Sequence, residues 1–183
     1  MLRHVLLAGG MALTTVAGAG AGLTQEKGSP GGFKYDKKAP IEITSSNLEV
    51  RQAENLAVFT GNVVAGQGTL RLTADSLNVH YNDAGGETGA IERIVAAGNV
   101  LLCNGSETAE GETGAYDVAA GRIRMEGSVV LAQGGNAIAG PRLEIDLNTG
   151  VGRVIGAPGK PVRTLLIPAR TGNANPKAAL CDG

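Results

Sequence analysis

The sequence predicts an all-β fold, an antiparallel roll of about four repeat units of 29 residues followed by a closing strand. Three observations carry this expectation. Apolar and polar residues alternate in short runs, which is the spacing of strands and not of helices. Glycine supplies 29 of the 183 residues, about twice its usual share, so turns are frequent and a helix would lose about 1 kcal/mol at each interior glycine. The apolar pattern also returns at a fixed interval, which marks a repeat architecture.

Taken in chain order, residues 1–21 read as a signal peptide. Arg3 precedes an apolar run from Val5 to Ala17, and small residues follow at Ala17-Gly18-Ala19 and Ala19-Gly20-Ala21, two A-x-A cleavage candidates. The run of 13 is short of the roughly 20 residues that cross a bilayer, so export is expected and not anchoring. Residues 22–40 mix Gly, Pro, Ser and Lys without apolar periodicity and read as a flexible linker. The body runs from 41 to 167 as one domain, and 168–183 again lack a pattern and read as a flexible tail.

Within the body, Ile41 to Val50 and Leu70 to Val79 superpose at an offset of 29, with apolar residues coinciding at 41/70, 43/72, 48/77 and 50/79. A fourth copy spans Ile138 to Ile145. The third, Ala109 to Tyr116, is weaker and has Gly114 where the others have Leu. The second copy is eight residues longer, with the insertion placed at Asn82-Asp83-Ala84-Gly85-Gly86. A second motif repeats between these copies: Gly61-Asn62-Val63, Gly98-Asn99-Val100, Gly127-Ser128-Val129 and Gly156-Ala157-Pro158. Continuing the period puts Ile167 on the Ile43 position, so Leu165-Leu166-Ile167 is expected to open a fifth copy that Pro168 stops.

Several apolar pairs lie five apart: Ile43 and Leu48, Leu72 and Leu77, Ile138 and Leu143, Val58 and Val63, Val95 and Val100. Met125 and Val129 lie four apart. An odd step puts two side chains on opposite faces of a straight strand, so a bulge or corner must re-aim them toward one interior. Each unit is therefore expected to be two bent strands, with hairpins at Ala120-Gly121 and Asn148-Thr149-Gly150.

Charge and composition exclude several functions. Residues 41–150 carry fourteen Asp or Glu against six Arg, the wrong sign for phosphate backbones, so nucleic acid is not a partner. The basic residues gather in the linker and after Val151. His4 and His80 are the only histidines, no zinc, EF-hand or phosphate-loop spacing occurs, and no carboxylate pair is marked out as a catalytic dyad. No catalytic residue, metal or cofactor is expected. Cys103 and Cys181 are the only cysteines, and export would let them pair or leave them as idle thiols.

The pattern φ-x-φ-T-A-D-S-φ-x-φ at Leu70 to Val79, with φ-x-x-G-N-V at Val58 to Val63 and Val95 to Val100, resembles the OstA-like (LptA) family of periplasmic lipopolysaccharide-transport bridge proteins. The resemblance covers Ile41 to Ile167. It implies a V-shaped β-jelly roll, open at both ends, that is located in the periplasm. It further implies lipopolysaccharide as ligand, head-to-tail self-association, and inner-membrane LptC-like and outer-membrane LptD-like partners for outer-membrane assembly. The lipid-facing set expected on this basis is Ile43, Leu48, Val50, Val58, Val63, Leu72, Leu77, Val79, Val95, Val100, Ile138, Leu143 and Ile145. Strand edges for assembly are expected at Ile41 to Val50 and at Arg163 to Ile167. The alternative is a structural or adhesive secreted β-solenoid module with a closed core and no lipid.

Overall fold

The computed structural model describes residues 36, 39–82 and 90–168. The expected signal peptide, nearly all of the expected linker, most of the insertion and the tail after Pro168 lie outside the described residues.

Ten strands follow one another: β1 (Glu42–Thr44), β2 (Asn47–Arg51), β3 (Leu56–Gln67), β4 (Leu70–Asn82), β5 (Ala90–Asn104), β6 (Glu107–Asp117), β7 (Arg122–Gln133), β8 (Asn136–Asp146), β9 (Val151–Ile155) and β10 (Arg163–Leu165). All pair antiparallel in one sheet of order β1-β3-β4-β5-β6-β7-β8-β10, with β2 also on β3 and β9 also on β8. The sheet is not closed on itself.

Each long strand bends at mid-length, which divides the sheet into two arms. The bend has one construction throughout. At Thr60/Val63, Ala97/Val100 and Glu126/Val129 the strand carries one residue more than its partner. These are bulges at Gly61-Asn62, Gly98-Asn99 and Gly127-Ser128, where both residues have positive φ: 80° and 48°, 78° and 48°, 83° and 50°. Glycine is needed for a further reason. A Cβ on Gly61 would meet Ser46, one on Gly98 would meet Asp75, and one on Gly127 would meet Glu112. Ser46, Asp75 and Glu112 are equivalent positions of successive repeats, so each repeat lays its corner side chain over the glycine of the next strand. Asn99 Nδ2 donates to Asp75 Oδ2 at 2.8 Å, which ties the two motifs together.

The arms end in tight turns. On the first arm, Gly68-Thr69, Gly105-Ser106 and Gly134-Gly135 join the hairpins, with the leading glycine at φ 59°, 59° and 56°, as a two-residue II′ turn requires. On the second arm, the turns expected at Ala120-Gly121 and Asn148-Thr149-Gly150 are present. The Asp146 carboxylate accepts from the Thr149 and Asn148 amides at 3.1 and 2.9 Å, and these bonds hold it below the usual carboxylate range.

The closing strand differs from the expectation of a fifth copy. β9 pairs with β8 from Asp146 to Arg142, and β10 continues the same pairing from Ala139 to Ala137. Together they are one bent strand of the fourth unit, interrupted at the corner. The cause is Pro158, which stands where Val63, Val100 and Val129 stand in the other units. Proline cannot donate to a ladder, and the chain turns out through the Ala157↔Lys160 bridge before resuming at Arg163.

Candidate lipid trough and open edges

Cross-strand register defines the inner face. One row on the first arm runs Ile43, Ala65, Leu72, Leu102, Ala109, Leu131, Ile138. On the second arm, one row runs Leu48, Phe59, Leu77, Ala96, Gly114, Met125, Leu143, Val154, and another runs Val50, Ala57, Val79, Ile94, Tyr116, Ile123, Ile145. These rows face one another across the bend, and apart from Leu48, Val50, Gly114 and Ile138 their residues belong to one apolar cluster of buried and half-buried side chains. Burying each large aliphatic side chain stabilises the fold by about 1.5–3 kcal/mol.

The structure places eleven of the thirteen expected residues on this face. Val63, Leu77, Val79, Val100, Leu143 and Ile145 are buried, and Ile43, Leu72 and Ile138 are half-buried. Leu48 and Val50 share the face but lie at its N-terminal end, 56% and 54% exposed. Val58 and Val95 are corrections. They are register partners of Asn78, so they lie on the outer face, and Phe59 and Ala96 take the inner positions. The reason is the bulge. In the strands with the Gly-Asn/Ser corner the inward step is four, as in Phe59 to Val63, Ala96 to Val100 and Met125 to Val129. The step of five belongs to their partners, as in Leu72 to Leu77.

Sequence reasoning also passed over a polar inner row. Gln67, Asn104, Glu107, Gln133 and Asn136 flank the first-arm turns on the inward phase, which could have been counted from Leu102 and Ala109. Gln67 and Glu107 are buried. Gln133 Nε2 donates to Glu107 Oε1 at 2.8 Å, and Tyr116 OH donates to Gln67 Oε1 at 3.4 Å, linking the arms. Burial pushes the Glu107 carboxyl above the usual range. The outer face of the second arm instead carries exposed ion pairs such as Arg124–Glu144 at 3.3 Å, which add little stability.

Between the arms the side chains leave a cavity of about 50 Å³, lined on one side by Ala65, Leu70 and Leu72 and on the other by Leu77, Ile94 and Met125. A larger cavity of about 780 Å³ lies at the C-terminal corner, beneath the Gly156 to Pro161 loop. The exposed large hydrophobics among the described residues all lie at the two ends of the sheet: Leu48 and Val50 at one, and residues of β9, β10 and their flanks, such as Leu165 at 60% and Leu166 at 70%, at the other. The expected edges correspond to β1 and β2, with Ile41 just before them, and to β9 and β10, with Ile167 just after.

Comparison with known proteins agrees with this geometry. An uncharacterized protein of Rhizobium meliloti (strain 1021) is 36% identical over 124 residues, covering 65% of this chain and 67% of that protein. The lipopolysaccharide export system protein LptA of Escherichia coli (strain K12) is 28% identical over 148 residues, 78% of each chain. The crystal structure of LptH, the LptA homologous periplasmic component of the lipopolysaccharide transport device of Pseudomonas aeruginosa, shares the fold with a TM-score of 0.64 at 20% identity. It covers 73% of this chain and 99% of that one. The model of the family described as LptA/(LptD N-terminal domain) LPS transport protein matches residues 42–151. The chain belongs to that family of LPS transport proteins.

Proposed function

We propose that this chain shelters the acyl chains of lipopolysaccharide between its two arms and passes the lipid along a head-to-tail assembly that bridges the inner and outer membranes. An LptC-like protein would take the inner-membrane end and an LptD-like protein the outer-membrane end. One observation carries the reading: the apolar inner rows run from one open edge of the sheet to the other, from the exposed Leu48 and Val50 of β2 to the half-buried Val154 of β9. A monomer that stopped there would leave those side chains in water, whereas a second copy docked at the edge would extend the same rows. Among the described residues each end also presents a strand paired on one side only, with a free edge able to accept strand addition. The physical need is plain. An acyl chain of a dozen carbons left in water costs about 9 kcal/mol at ~0.8 kcal/mol per CH₂, so the lipid requires a continuous apolar path.

One observation favours the second reading, a structural module with a closed core. The cavity between the arms, about 50 Å³, is a third of the roughly 150 Å³ that admits one benzene. Lipid loading therefore requires the arms to part, which would break the Tyr116–Gln67 hydrogen bond that links them. Binding of fluorescent lipopolysaccharide to the purified mature protein tests this. Saturable binding is expected, and deacylated lipopolysaccharide should not compete. Competition by the deacylated sugar at equal strength, or no binding at all, would leave the structural module as the reading.

A further inference from the structure

Both ends of the sheet keep the geometry of the repeat. Toward β3, Thr44 and Asn47 hold the places that Thr73 and Ser76 hold toward β5. Toward β8, Ile155 and Arg163 hold the places that Glu126 and Val130 hold toward β6. β1 and β2 are thus a plain strand of the β4, β6 and β8 kind, and β9 and β10 are a strand of the β3, β5 and β7 kind. Within the molecule each of β3, β5 and β7 is followed by a plain antiparallel strand. Among the described residues β9 and β10 lack that follower, and β1 and β2 are a follower with no strand before them.

The β7–β8 ladder gives the register that a follower of β9 would take. There Arg124 faces Glu144, Met125 faces Leu143, Glu126 faces Arg142 and Val130 faces Ala139. The repeat equivalences turn these pairs into Arg153 with Glu49, Val154 with Leu48, Ile155 with Asn47 and Arg163 with Thr44 of a second copy. The first two match in chemistry. Val154 ends the inner row of Leu143, and the exposed Leu48 would continue it. Arg153 with Glu49 repeats the Arg124–Glu144 ion pair, which closes at 3.3 Å inside the molecule. Among the described residues Arg153 is in no ion pair. Glu49 accepts from Arg51 Nε at 2.8 Å through one oxygen, and its second oxygen can serve Arg153.

The ends are also sorted by charge. Residues 41–55 carry Glu42, Glu49 and Glu54 against Arg51, whereas residues 151–167 carry Arg153, Lys160 and Arg163 and no acid. Two like ends would set charges of one sign together, and unlike ends set opposite charges together. We propose that a second copy docks in the register of the repeat itself, with its β2 beside β9 and its Glu49 ion-paired to Arg153. This rests on the head-to-tail reading above, and adds to it the register of the junction and the residue pair that gives it direction.

Sedimentation velocity of the full mature chain at low salt, where surface charges are least screened, tests the pair. Both side chains are exposed, so neither Arg153→Glu nor Glu49→Arg should disturb the fold. Each variant alone sets like charges across the junction and should associate about tenfold more weakly than the parent. An equimolar mixture of the two regains opposite charges at every alternating junction and should assemble as the parent does. A parent that stays monomeric would overturn the head-to-tail reading and the register with it. A parent that assembles, with either variant assembling as well or with the mixture no better than the variants, would overturn the register alone.

Discussion

Gly114 occupies the place where the three other units carry Leu48, Leu77 and Leu143, and the room is taken by a neighbour. A Cβ there would lie 3.4 Å from Val100 Cγ1 and 3.9 Å from Met125 Cγ, ordinary contact, and its φ is not positive. Gly114→Ala should therefore be neutral or gain up to about 1 kcal/mol, because a strand glycine forfeits backbone entropy for nothing here. Met125→Ala removes the side chain that fills the gap and should cost about 2–5 kcal/mol. Urea denaturation of both variants checks the pair. Glu107 makes a pH-dependent prediction. Its folded pKa lies above the unfolded value, so its contribution is fully present below about pH 4 and is lost as pH rises through the folded pKa. Glu107→Gln keeps an oxygen for Gln133 and carries no charge. Its stability relative to the parent should rise between about pH 4 and pH 7, and a flat difference across that range would contradict the burial argument. Neither Glu107 nor Met125 stands out in the sequence. Glu107 is one of many carboxylates, and its inward phase appears only when parity is carried through the Gly105-Ser106 turn.

The corner is the element on which the fold depends, and it combines two constraints. The first is positive φ at the glycine, and the second is the corner side chain of the preceding strand of the same repeat lying over it. Gly98→Ala meets both, since its new methyl would collide with Asp75, whereas Gly105→Ala at φ 59° has nothing within 4 Å. Both should destabilise, Gly105→Ala by about 1–2 kcal/mol and Gly98→Ala by about 1 kcal/mol or more beyond that. Equal losses in thermal or urea unfolding would remove the collision from the account. The existence of corners was readable from the repeated Gly-Asn and Asp-Ser positions and from the odd apolar spacings. Which strand of each pair carried the extra residue was not, because Val58 and Val95 are as apolar as Phe59 and Ala96. Only the register shows that the four-residue spacing of Met125 and Val129 is the rule in bulged strands. The repeat arithmetic likewise assigned Leu165 to a new unit, since a period counts residues and does not sense the seven that Pro158 diverts into a loop.

At the scale of the molecule, the repeat makes a sheet with no natural end. Each unit covers its neighbour, so the first and last units are left with apolar side chains and strand edges that nothing in the described chain covers. The family match places the chain in lipopolysaccharide transport, and under the function proposed above the two arms would supply the inner face along which a lipid moves. The most direct test places a photoreactive phenylalanine analogue in cells at Phe59, inward and half-buried, or at its outward neighbour Val58. Phe59 is the better probe because the analogue keeps the aromatic ring. Lipopolysaccharide adducts at Phe59 and not at Val58 are predicted. Adducts at both positions alike, or none at Phe59 in a folded and exported protein, would contradict a lipid path between the arms.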